Sequence, residues 1–113
     1  YGPISDLLPS SPVFEMYPLG FLTITNYLEA RGLKVRIVNL ALRMMNDISF
    51  DVPRFLAKLN PRAIGIDLHW LPHAHGSLEI ANIAKQLYPD VPVIFGGLSA
   101  TYFHQELIQY PQV

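Results

Sequence analysis

Cysteine is absent from this chain. Its own side chains therefore form no disulfide, no thiolate zinc site and no iron–sulfur ligation, and the redox compartment stays open. Charge is scarce as well: 15% of residues are charged and the net charge is −1, which leaves no electrostatic footprint for nucleic acid or for an anionic membrane. Pro, Gly or polar residues interrupt every apolar run well short of the ~20 residues that span a bilayer. The opening Tyr1-Gly2-Pro3 has neither the basic nor the apolar region of a signal peptide. These absences read as a soluble, cytoplasmic protein. Catalytic signatures are missing too: there is no G-x-S-x-G, no P-loop and no G-x-G-x-x-G, and Gly96-Gly97-Leu98-Ser99 does not supply that last spacing. The few acidic residues fall mostly on expected helices, where a solvated face is the ordinary role. No catalytic residue is nominated.

What is present is apolar. Half of the 113 residues are hydrophobic, enough for one domain with a core, and much of its surface is expected to face other protein or a ligand. Residues 1–17, with Pro3, Pro9 and Pro12, read as an extended loop. A helix is expected over 18–31, with Leu19, Leu22, Tyr27 and Leu28 on its apolar face and Gly32 as its left-handed stop. Val35-Arg36-Ile37-Val38-Asn39-Leu40 alternates as a strand. Asp51 is placed to cap a short helix ending near Leu59, before Asn60-Pro61. A near-continuous apolar strand follows at 63–68, a helix at 77–88, a strand at 92–95 with Gly96-Gly97 behind it, and a last helix at 102–109. Strand and helix alternating through short connections predict right-handed βαβ units in a doubly wound parallel sheet.

In such a sheet ligands sit beyond the carboxyl ends of the strands, and the unusual residues fall there. The stretch IGIDLHWLPHAHG, residues 64–76, leaves its strand at Asp67 and carries three histidines. If the two strands are neighbours, its loop and the Gly96-Gly97 loop form one wall. The glycine pair either lets backbone approach a ligand or makes the strand-to-helix turn. Asp67 and His69 alternate with Leu68, so they share a side; either reaches a ligand, or Asp67 accepts from loop amides. Trp70 either packs or covers a flat ligand. Asp67, His69, His73 and His75 are donor types for a transition metal, but His69 and His73 share a face only in a helical loop. Pro72 argues against that by pushing Leu71 toward extended geometry. No metal ligand is assigned, and His73 and His75 are read as exposed loop or first-turn residues.

Several segments together resemble the amino-terminal cobalamin-binding domain of radical S-adenosylmethionine enzymes. They are Pro18-Leu19-Gly20 opening a helix, Tyr27-Leu28-Glu29-Ala30-Arg31-Gly32 closing it, the V-R-I-V-N-L strand and Asn60-Pro61 before I-G-I. To these is added Pro92-Val93-Ile94-Phe95-Gly96-Gly97 followed by Ser99-Ala100-Thr101. The likeness runs from Tyr17 to Val113. Its most specific part is similar to the family's GG-x-H-A-T…E-E-L element, with Ser99 in place of the usual His and Gln105 before Glu106.

The resemblance implies a flavodoxin-like, Rossmann-like α/β fold of three αβα layers holding a corrinoid's nucleotide tail. Asp67, His69, Trp70, Gly96, Gly97, Ser99 and Thr101 are then the expected cofactor contacts. It implies a role as a cobalamin-binding module, non-catalytic by itself, for a downstream radical S-adenosylmethionine barrel. That barrel would carry the S-adenosylmethionine and the 4Fe–4S cluster. Residues 18–113 are then part of a domain in a longer chain, whose first strand would precede Tyr1 and lie between the 35–40 and 63–68 strands. A homodimer or a rearranged sheet is expected where that strand is lacking. Asp67-Leu68-His69 begins like the D-x-H-x-x-G of His-ligated cobalamin proteins, but Pro72 stands where Gly is needed, so cobalt ligation is not carried onto His69. Two other readings stay open: a flavodoxin-like signalling or substrate-binding domain without cobalamin, and a small His-metal hydrolase.

Overall fold

The structure is a computed structural model that describes residues 19–113; the extended loop expected over residues 1–17 lies outside them. In chain order the elements are helix α1 (Leu19–Glu29), α2 (Leu40–Asn46), α3 (Val52–Leu56), strand β1 (Ile64–Asp67) and a 3-10 turn at Leu71–His73. Then come α4 (Ala74–Leu87), strand β2 (Val93–Gly96), α5 (Leu98–Tyr102) and α6 (His104–Leu107). The fold is mixed α/β around a small parallel sheet.

β1 and β2 pair in parallel with Ile64 opposite Val93 and Asp67 opposite Gly96, so the two strands are neighbours and end together. Side chains alternate across the pleat. Ile64, Ile66, Val93 and Phe95 therefore share one face, and they pack on Ala81 and Ala84 of α4. The two small alanines, both essentially without solvent contact, let the helix lie close to the sheet. On the other face the β2 position next to the exposed Gly65 is Ile94, 59% exposed.

Two more clusters hold the rest. Val52 and Leu56 of α3 meet Ile83 of α4, with Phe50, Phe55 and Ile80 around them. Leu68, just past β1, meets Ala100 and Leu107. The α3 end of the molecule is tied down by Tyr88, whose hydroxyl donates to the Leu56 carbonyl at 2.8 Å and accepts from the Asn60 amide at 3.2 Å. Asn60 itself has φ +46°, a left-handed conformation that its short polar side chain tolerates.

Local signals explain most element ends. Asp51 caps α3, accepting from the Arg54 amide at 2.9 Å. Gly32, at φ +80°, ends α1 with bonds from Leu33 N to Leu28 O and from Gly32 N to Glu29 O, the paired pattern of a Schellman stop.

Four readings are corrected. Residues 35–40 carry no ladder, because no strand among the described residues pairs with them. Asn39 instead caps a helix that the sequence reading lacked, its side chain accepting from the Leu42 amide at 2.9 Å, and Leu40 becomes that helix's first residue. Leu71 opens a 3-10 turn despite preceding Pro72: the pre-proline preference for extended geometry is a bias that the turn overrides, and Pro72 near the start of the turn costs it no hydrogen bond. That turn runs straight into α4, which begins at Ala74 rather than 77. The last helix is two short ones that break at Phe103, the first starting directly behind Gly97.

Candidate functional site

The carboxyl ends of both strands open onto two loops, and backbone bonds sew these together. Leu68 N donates to Gly96 O at 2.7 Å and Ala100 N returns to Leu68 O at 3.1 Å. The His69 carbonyl receives two donors from one residue, Ser99 N at 3.3 Å and Ser99 Oγ at 2.8 Å. Leu68, 1% exposed, anchors the seam from below.

The two glycines have different duties. Gly97 sits at φ +101°, and a Cβ built there would lie 2.5 Å from Asp67 Oδ1, 2.8 Å from the Leu68 carbonyl carbon and 2.9 Å from His69 N. Real Cβ atoms do not occupy such space, and an L side chain strains at that φ. Gly97 is therefore glycine because the chain's own strand end fills the space. A Cβ at Gly96 would meet nothing within 4 Å, and its φ is ordinary. Gly96 is the glycine whose open side faces away from the protein.

The structure brings the seven expected contact residues together at this one place, though not in equal roles. Asp67 is exposed with its carboxylate over Gly97, and its carbonyl accepts from Ser77 Oγ at 3.4 Å. His69 is half-buried, and its ring meets Trp70 edge to face, 5.0 Å between centroids at 82°. Trp70 remains 47% exposed, a large apolar ring left in solvent beside the strand ends. The Ser99 hydroxyl gives its proton to His69 O, and the Thr101 hydroxyl gives its proton to Gly97 O at 2.9 Å. Each hydroxyl has a single proton, so toward a ligand both offer acceptor lone pairs rather than donors.

His73 and His75 are exposed in the 3-10 turn and the first turn of α4. Among the described residues no group of three or more His, Cys, Asp or Glu side chains is arranged to hold a metal ion, and no helix is long and apolar enough to cross a membrane.

One feature escaped the sequence reading. An open, mostly apolar groove of about 290 Å³ runs along β2 and α6, bordered by Ile94, Phe95, Leu107, Ile108 and His104. His104 Nδ1 lies 3.0 Å from Thr101 O. No motif signals this groove, because it depends on α6 folding back on β2.

A mixed α/β chain with parallel strands ending side by side, and with glycine-bordered loops beyond those ends, has the arrangement of flavodoxin-like ligand-binding domains. Within that class the chain belongs to the B12 binding domain family, whose family model matches residues 7–113. No curated protein and no solved structure gives a significant match. The family points to cobalamin as the ligand. The residues present fit that group in one specific respect: at Gly96 the backbone is bare where a bulky ligand would have to come close.

Proposed function

We propose that this chain is a cobalamin-binding module that holds and orients a corrinoid for a catalytic domain of the radical S-adenosylmethionine type. In this reading the full domain is the three-layer flavodoxin-like sheet, and the S-adenosylmethionine and 4Fe–4S cluster belong to the partner domain. The observation that carries the reading is the register of Asp67 with Gly96, which joins the two loops into one wall in a chain of the B12 binding family. Gly96 gives the corrinoid close access to backbone. Asp67 accepts from its amide or hydroxyl donors, and Trp70 covers an apolar surface of it. Thr101 contributes acceptor lone pairs. Gly97 serves by holding the strand ends in place. When bound, the corrinoid supplies methyl-transfer or other radical chemistry, and this chain's part is orientation and exclusion of water. His69 has Pro72 at the position where the His-ligated proteins need glycine, so it is a wall residue in this reading and not a cobalt ligand.

The test is a titration of the protein with hydroxocobalamin, followed by visible absorption and by retention through gel filtration. Stoichiometric retention that is lost in Gly96→Val, with far-UV circular dichroism unchanged, supports the reading, since a Cβ there meets no protein atom within 4 Å. Absence of retention by the wild-type protein would sink it.

A further inference from the structure

The Ser99–His69 contact carries a role of its own. The single proton of the Ser99 hydroxyl is committed to the His69 carbonyl at 2.8 Å, shorter than the 3.3 Å of the Ser99 amide to the same oxygen. Ser99 lies two residues past Gly97, at which a Cβ would fall 2.8 Å from the Leu68 carbonyl carbon and 2.9 Å from His69 N, so the two segments already run close. The carbonyl of His69 is also the peptide link to Trp70, so whatever fixes that oxygen fixes the plane from which the Trp70 side chain departs. The imidazole of His69 then meets the indole edge to face at 5.0 Å, and the indole is about half in solvent. A chain of restraint therefore runs from α5, through one hydroxyl, to the exposed indole beside the strand ends.

We infer that Ser99 is a positioning residue: its hydroxyl bolts the loop after β1 to the start of α5 and so sets the orientation of the His69–Trp70 pair, rather than donating to a ligand itself. The binding consequence rests on the cobalamin reading above, whereas the structural consequence does not. Ser99→Ala removes the stronger of the two bonds and keeps the amide, so the loop loosens without losing its connection.

Trp70 is the chain's single tryptophan, so its emission reports this loop and nothing else. Ser99→Ala, Ser99→Val and Ser99→Thr are compared with wild type in cobalamin-free protein, by emission maximum and acrylamide quenching, with far-UV circular dichroism as the control for folding. Hydroxocobalamin titrations of all four follow. The expected result is a red-shifted, more quenchable Trp70 in the Ala and Val variants, cobalamin affinity about two- to tenfold weaker in both, and recovery of both readouts in Thr. Val matches Thr in shape, so if Ala fails to fold the Thr–Val pair alone decides. Emission and quenching identical between Thr and Val would overturn the inference. If the wild type binds no cobalamin, the reading of function falls while the emission data still judge the bolt. Altered emission with unchanged affinity would limit Ser99 to the loop and overturn its part in binding.

Discussion

Residues 19–51 and residues 52–113 are both rich in apolar side chains, yet among the described residues every buried hydrophobic one belongs to the second stretch. In the first, neither α1 nor α2 buries a residue, and Leu19, Ile24, Tyr27 and Ile48 stand largely in solvent. The second contains a parallel strand pair, a helix laid across it and two loops sewn together at the strand ends. The contrast shows that fully buried side chains collect where helices pack on one another and on the strand pair, while Leu40, Met44 and Phe50 of the first stretch reach that core only at its margin. Val35-Arg36-Ile37-Val38 has a strand's alternation, but alternation without a ladder leaves half its side chains with nothing to face. The candidate site lies wholly in the second stretch, where the backbone is cross-tied.

If this division is right, substitutions in the two stretches should differ sharply in cost. The largest effect is expected from Leu68→Ala, which empties the seam among Leu68, Ala100 and Leu107; urea denaturation should show about 2–5 kcal/mol lost. Gly97→Ala should cost about 2–4 kcal/mol, combining a disfavoured φ with contact against Asp67, Leu68 and His69. Its neighbour Gly96→Ala should stay close to wild type in stability, and the two glycines exchanging behaviour in that assay would break the assignment of their roles. Asp51→Ala, at the junction of the stretches, should lose about 1 kcal/mol as the Arg54 amide loses its cap, with Asp51→Asn retaining most of it. Smallest of all, Ile48→Ala, at a side chain that is 100% exposed, should shift stability by no more than about 0.5 kcal/mol. A large loss there would show that the first stretch packs more tightly than the structure has it.

Legibility in the sequence followed the range of the interactions. The two strands, the capping Asp51 and the stop at Gly32 were readable because each depends on a few adjacent residues. The wall of Asp67, His69, Trp70, Gly96, Gly97, Ser99 and Thr101 was readable as a set, since strand ends in a parallel sheet collect at one edge. The division of labour within it was not. That Gly97 faces Asp67 while Gly96 faces open space depends on distances between residues about thirty positions apart. The same holds for the Ser99 proton, which is committed to a carbonyl on another strand's loop. Pro72 behaves in a related way: its bias against a helical Leu71 is local, and the turn that runs straight into α4 overrides it.

By itself, then, the sequence determined the two strands, the cap at Asp51 and the stop at Gly32, and its match to a family model determined the family to which the chain belongs. The strands, the cap and the stop rest on pattern and capping, which are short-range. Only the tertiary structure decided which apolar residues are buried, that residues 35–40 join no ladder among the described residues, and which glycine is held by the protein and which lies open. Each of these depends on what arrives from elsewhere in the chain to fill, pair or leave bare a given surface.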